Sequence, residues 1–189
     1  GFRRSGRYHY RPHCESCQAC VSVRIPVAAF TPNRSQRRCA ARNSDIEVVA
    51  LGSIAHEQHY PLYERYISAR HSDGDMYPAT PKQFEDFLGR SAATALYIEL
   101  RLAGRLVGCA VTDRFANGLS AIYTYFEPEL QERGLGRFAI LAQLQLARRW
   151  QCEHLYLGYW IAGSDKMAYK ARFQPLEILG NDGWTVKKL

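Results

Sequence analysis

An α/β (α+β) core built on a mixed sheet is the fold class this sequence predicts, and three observations carry it. Residues 95–100 and 106–112 are apolar, strand-like runs joined by a short turn at Gly104, which makes an antiparallel hairpin. Asn117-Gly118 then turns the chain into a third such run, residues 120–126. A Gly-rich turn, Arg133-Gly-Leu-Gly136, next leads into a helical pattern over 137–150 and then into the strand-like residues 154–160. Strand, turn, helix, strand is a βαβ unit; placed after antiparallel strands, it requires parallel and antiparallel pairing in one sheet.

Each element has its own local reason. In residues 137–150, Phe138, Ile140, Leu141, Leu144, Ala147 and Trp150 fall broadly on one face. Residues 81–88 read as a short helix with Thr80 as N-cap, Pro81 at its first position, and Phe84, Phe87 and Leu88 on one side. Residues 61–70 read as another, with Pro61 near its first turn and Leu62, Tyr66 and Ala69 at helical spacing. Between these two helices, residues 71–76 form a polar loop with a glycine to turn it. Nearer the start, residues 21–25 alternate as a short strand, and Asn33 or Ser35 caps a helix carrying Gln36, Arg37 and Arg38. The chain divides into an Arg- and Cys-rich segment, residues 1–44, and a core, residues 45–189.

Hydrophobic residues make up 47% of the 189 residues and charged residues 23%, a globular composition that excludes a disordered tail protein. No apolar run approaches the roughly 18 residues needed to cross a bilayer, so a membrane partner is not expected. The net charge of +7 is concentrated at one end. Residues 1–42 hold nine arginines, no lysine and one acid, Glu15, whereas the remaining 147 residues balance 16 bases against 17 acids. A guanidinium fork grips phosphate in a bidentate way and stacks on bases, so nucleic acid or a polyphosphate is the partner class.

Six cysteines are too few for a disulfide scaffold, but Cys14, Cys17 and Cys20 form a C-x-x-C-x-x-C run. Three thiolates so spaced converge on an iron–sulfur cluster or zinc, with Cys39, His13 or His9 as a fourth ligand; the alternatives are a redox couple or plain reduced thiols. Cys109, within an apolar strand, reads as a small buried hydrophobe.

The turn Gln131-Glu-Arg-Gly-Leu-Gly136 presents backbone N–H groups at a helix start, where the helix dipole favours an anion, and Arg133 and Arg137 add two cations beside Gly134 and Gly136. In its strand–loop–helix–strand setting this phrase resembles the (Q/R)-x-x-G-x-(G/A) pattern of the GNAT acyltransferase fold. Other phrases narrow the resemblance: residues 1–7 (GFRRSGR), Tyr10-Arg-Pro-His-Cys14, Val23-Arg-Ile-Pro26, Arg34-Ser-Gln-Arg-Arg38, residues 70–78 (RHSDGDMYP), Asn117-Gly-Leu-Ser, Leu157-Gly-Tyr-Trp-Ile161 and Lys166-Met-Ala-Tyr-Lys170. In this order and over essentially the whole chain, they resemble the bacterial aminoacyl-tRNA–protein transferases. The nearest branch is the aspartate/glutamate leucyltransferases, related to the arginyl-tRNA–protein transferases.

The resemblance implies a GNAT-like core in a cytoplasmic enzyme, with family residues upstream of Gly1. It implies that an amino acid, Leu, passes from aminoacyl-tRNA to proteins with N-terminal Asp or Glu, marking them for N-degron degradation. Arginyl transfer by the same chemistry, an acetyl-CoA-dependent N-acetyltransferase and a non-catalytic RNA- or metal-binding module are the alternatives. No cofactor is required for the chemistry. Aminolysis of the ester needs a neutral amine and stabilisation of a tetrahedral oxyanion. Glu99, an acid within an apolar strand, is the candidate base or amine holder, and Tyr123 and Tyr125 are candidate donors. Arg3, Arg4, Arg11, Arg34, Arg37 and Arg38, with the 133–137 turn, are the tRNA- and anion-binding candidates. Arg70, His71, Lys166, Tyr169 and Lys170 are the candidates for the acidic acceptor.

Overall fold

In a computed structural model, which describes residues 1–89 and 94–187, ten strands form two sheets. β1 (Arg3–Ser5) and β2 (Tyr8–Tyr10) make a small hairpin. The main sheet holds β3 (Val21–Pro26), β4 (Ile46–Leu51), β5 (Ala95–Leu102), β6 (Arg105–Phe115), β7 (Gly118–Phe126), β8 (His154–Trp160), β9 (Glu177–Gly180) and β10 (Gly183–Val186). Its order is β10-β9-β3-β8-β7-β6-β5-β4. Every neighbouring pair is antiparallel except β7 and β8, which are parallel. The predicted mixed sheet is therefore the observed one, and α4 (Leu135–Arg149) is the crossover between its parallel strands.

Helices cover both faces of the central strands. α2 (His56–Arg70) and α3 (Pro81–Phe84) close one face over Tyr97, Cys109, Val111 and Tyr125. α4 closes the other over Ile98, Leu100, Val107 and Ala110, with α1 (Arg34–Arg42) packed against it. Double coverage explains why Tyr97, Ile98, Glu99 and Leu100 of β5 are all buried in succession rather than alternately. Asn33 is the N-cap of α1, accepting from the Gln36 N–H at 3.0 Å while the Gln36 side chain accepts from the Asn33 N–H at 2.8 Å. No described helix is long and apolar enough to cross a membrane.

The chain does not divide after residue 44. β3 lies inside the sheet, paired with β8 on one edge and β9 on the other, so residues 21–26 are core. The β1–β2 hairpin is tied to β6 by Arg4, whose Nε and Nη2 donate to the two Asp113 carboxylate oxygens at 2.7 and 2.8 Å, both side chains being buried. α2 begins at His56, five residues before the expected start, because Pro61 lies inside it and its N-cap, Ala55, has no side chain that signals a start. The strands β1, β2, β4, β9 and β10 are additions to the sequence-derived plan.

Removing one partner of the Arg4–Asp113 pair strands a buried charge, which costs about 3–5 kcal/mol. Arg4→Ala and Asp113→Ala are each expected to lose that much in denaturant unfolding, with the double variant losing far less than the sum. Additive losses would mean that the pair is not what ties the hairpin down.

Candidate active site

β7 and β8 pair over only three residues, Gly118 with His154, Leu119 with Leu155 and Ser120 with Tyr156. Beyond Ser120 and Tyr156 no further pairs form between them, while β7 stays laddered to β6 and β8 to β3. Backbone groups facing the gap must find other partners. Arg3 supplies them: it donates to the carbonyls of Ala121 at 3.1 Å, Ile122 at 2.6 Å and Leu157 at 3.2 Å. Lys170 donates through Nζ to the Tyr159 carbonyl.

On the α4 side the gap opens into a cavity of 1370 Å³. Ala121 to Thr124 and Leu157 form its floor, and the turn at Gly134 and the first turn of α4 form one wall. The end of α2 and α5 (Asp165–Ala168) with its continuation Tyr169–Arg172 form the others. Five sequence-derived acceptor candidates therefore come together here: Arg70, His71, Lys166, Tyr169 and Lys170 all line the cavity. Arg70 lies with its guanidinium 5.9 Å from the centre of the Phe126 ring. Lys166 is exposed and stands 3.6 Å from Asp73. Burial, and then Lys166, hold His71 below the usual histidine range. Lys170 is buried, and desolvation with the nearby Arg3 cation brings its amine down to about 8.

Of the catalytic candidates only Tyr123 lines the cavity. Burial pushes its hydroxyl far up, so it stays protonated and can only donate or accept a hydrogen bond. Glu99 and Tyr125 lie deeper under α2, on the face that Tyr123 shares, where Tyr123 packs against Tyr63, Tyr66 and Phe87 and its hydroxyl donates to Met76 Sδ at 3.7 Å. Register explains it: Glu99 pairs with Cys109 and Cys109 with Tyr125, so the three side chains share one face across three strands. His59 of α2, fully buried, bridges them. The Tyr125 hydroxyl lies 2.6 Å from Nδ1 and the Glu99 Oε1 lies 2.8 Å from Nε2, while Arg101 donates to Glu99 Oε2 at 2.6 Å. Desolvation lowers His59, against the pull of Glu99, so the neutral ring accepts a hydrogen bond from the Tyr125 hydroxyl at Nδ1 and donates one to Glu99 from Nε2. This is a satisfied polar strut inside the core, its three members all buried. His59 escapes a sequence reading because it lies 40 residues from Glu99 and meets it only where α2 packs on the sheet, whereas Arg101, two residues further along β5, is a same-face neighbour that alternation could have found.

The arginine candidates separate in the same way. Arg34, Arg38 and Arg42 follow one another at four-residue spacing along α1, and with Arg133, Gly134 and Arg137 they line a recess of 370 Å³ beside the main cavity. Arg133 is held there by Asp45, at 2.8 and 3.0 Å, and Arg137 donates to the Ser35 hydroxyl at 3.1 Å. Gly134 has φ +66°, which is what requires a glycine at the helix start, whereas a Cβ on Gly136 would come 3.1 Å from the Phe126 ring. Arg3 and Arg4 are committed to protein acceptors. Arg37 donates to the Pro32 carbonyl at 2.6 Å, and Arg11 stacks over Phe2 at 5.4 Å. The cysteines do not converge. Cys14 and Cys17 are exposed, Cys20 is half-buried, and no group of three or more His, Cys, Asp or Glu among the described residues is placed to hold a metal.

A splayed pair of parallel strands joined by a helix whose first turn lines the gap is the acyltransferase arrangement, and solved structures agree on the fold. L-PGS from Bacillus licheniformis superposes with a TM-score of 0.59 at 8% identity, over 78% of this chain and 48% of that one. FemX gives 0.55 at 8% identity, over 77% and 54%. The GCN5-related glucosamine N-acetyltransferase region of a fungal multi-domain β-N-acetylglucosaminidase gives 0.51 at 10%, over 89% and 20%. The protein is a GNAT-like acyltransferase in fold.

Sequence comparison narrows the class. Residues 1–38 match the family described as arginine-tRNA-protein transferase, N terminus, and residues 58–180 its C terminus. The chain is 53% identical over 186 residues to the aspartate/glutamate leucyltransferase of Chromohalobacter salexigens, covering 97% of this chain and 75% of that protein. It is 52% identical over 184 residues to that of Pseudomonas putida, covering 97% and 78%. The chain belongs to the aspartate/glutamate leucyltransferase family and is an aminoacyltransferase.

Two outcomes follow from the buried groups. His59 is held neutral in the fold but ionises when unfolded, so the unfolded state binds the extra proton and stability is lost as pH falls below about 6.5. His59→Gln should flatten that loss between pH 7 and 5 in chemical unfolding; an unchanged pH slope would mean that His59 is not held neutral. Lys170 satisfies the Tyr159 carbonyl, so Lys170→Met should lower the melting temperature at pH 7, and transferase activity of the folded variant should fall at least 100-fold. Activity within threefold of the parent would remove Lys170 from the site.

Proposed function

We propose that the chain transfers Leu from aminoacyl-tRNA to the N-terminal amine of proteins that begin with Asp or Glu. The observation that carries this reading is the cavity itself. It is an acyl-transfer gap walled by Arg70, Lys166 and Lys170, opening beside the arginine-lined recess. The cations in the wall suit an acidic acceptor side chain, and the arginine row suits consecutive phosphates of an acceptor stem. The names of the relatives supply Leu and the two acceptor residues.

In this reading the acceptor's α-amine, with a pKa near ~8, attacks the ester carbonyl. The amide N–C bond forms, the ester C–O bond breaks, and the ribose oxygen leaves with a proton. We read Tyr123, which lines the cavity, as the hydroxyl that hydrogen-bonds the tetrahedral intermediate, and Lys170 as a cation beside the acidic acceptor. The ester is already activated, so the chemistry asks for no cofactor. Residues new to acidic N-termini would direct their carriers to N-degron degradation in the cytoplasm.

Radiolabelled Leu and Arg, each on its tRNA, offered with peptides beginning Asp, Glu or Ala, test the reading. Leu incorporated on Asp and Glu alone is the expected result. Arg incorporated instead would move the donor to the other branch of the family, and no incorporation from either would refute the reading. Arg38→Ala and Arg42→Ala should each raise KM for Leu-tRNA about tenfold with kcat within threefold, and each should lower the salt slope of binding by about one. An unchanged salt slope would take these arginines out of the tRNA interface. Replacing Cys14, Cys17 and Cys20 by Ala should leave transfer within twofold of the parent.

A further inference from the structure

Arg3 does something that its place in a basic segment does not explain. The gap between β7 and β8 has two mouths. One is the 1370 Å³ cavity on the α4 side; the other is a pocket of 380 Å³ lined by Phe2, Ser120, Tyr156, Gly158 and Trp184. Arg3 and Ile122 line both. The guanidinium of Arg3 therefore stands where the two cavities would otherwise join, and its three hydrogen bonds reach carbonyls on both strands, Ala121 and Ile122 on β7 and Leu157 on β8. The chain leaves room for it. Gly158 has φ +73°, and a Cβ at that position would come within 1.2 Å of Arg3 Nη1. Arg3 is carried by β1, which the neighbouring Arg4 anchors through its buried pair with Asp113.

We propose that Arg3 is the partition between these two cavities and a positioning residue for the transfer step: it fixes the width of the gap in which the ester lies and closes the back of the sheet to water. The proposal rests on the reading of the preceding subsection, that an aminoacyl ester occupies the gap. An ester in an open gap has a second fate. Water attacks the same carbonyl carbon, the same C–O bond breaks, the ribose oxygen leaves with a proton, and free Leu replaces the amide product. An enzyme that holds an activated ester long enough to meet a protein N-terminus needs that route closed, and a side chain bonded to both strands closes it without narrowing the cavity on the substrate side.

The partition of Leu between peptide and free amino acid reads this directly, because a role in stability alone would lower both products together. With the full chain, Leu-tRNA and a peptide beginning with Asp, Arg3→Ala should raise the free-Leu share at least tenfold over the parent and slow peptide formation about 100-fold. Methylguanidinium in the buffer should restore the parent's partition. Arg3→Gln, which keeps a donor at lower cost to the fold, should shift the partition in the same direction by a smaller factor. A partition within twofold of the parent in folded Arg3→Ala or Arg3→Gln would overturn the proposal. A shift that methylguanidinium does not reverse, or failure of both variants to fold, would overturn it as well, assigning Arg3 to stability. If the parent itself transfers no Leu, the functional reading has failed rather than the role of Arg3.

Discussion

The ladder between β7 and β8 ends after three residue pairs, and the site follows from that early ending. Two parallel strands that separate inside a sheet leave carbonyls and amides facing a gap that the rest of the core cannot fill. Such groups are too costly to bury unpaired, so the gap must be served by side chains from elsewhere. Arg3 and Lys170 do this from opposite ends of the chain, one from the first strand and one from beyond the last long strand. The cavity, the left-handed backbone at Gly158 and the lowered amine of Lys170 all trace to the same separation.

The same constraint makes the N-terminal segment part of the sheet that holds the gap. β3 fills the edge of β8 that β7 does not use, and the Arg4–Asp113 pair fixes the hairpin that carries Arg3. Charge is then allotted by burial. Arginines that reach a carbonyl or carboxylate of the protein are structural, whereas Arg34 and Arg38 present theirs outward from the face of α1 on which Arg42 also donates to the Glu132 carbonyl. A basic segment that looks uniform in sequence thus holds two populations with different work.

How far the sequence foretells this depends on where each signal lies. The hairpin at Gly104, the turn at Asn117-Gly118, the βαβ unit and the cap of α1 are local patterns, and they appear as expected. Arg70, Lys166 and Lys170 line one cavity because the Lys166–Lys170 phrase and Arg70 each belong to a short segment that meets it. Strand β4 is an exposed edge, and β9 and β10 are four residues each, too short to impose a period. Glu99 shows why a lone acid in an apolar strand misleads. Alternation offers only solvent or site, whereas a sheet covered on both faces offers a third environment, in which His59 and Arg101 satisfy the carboxylate. Nothing local could tell Arg3 from Arg37, since the carbonyls that Arg3 serves lie 118 or more residues away.

A crystal structure with a short CCA oligonucleotide bearing leucine through a 3′-amide, a non-hydrolysable stand-in for the ester, tests the central claim most directly. The account predicts that its carbonyl lies in the gap between β7 and β8, with Arg3 behind it and Tyr123 and Lys170 beside it. A leucyl carbonyl bound on the α2 face near Glu99, or a gap that closes with β7 and β8 laddered past Ser120, would contradict it.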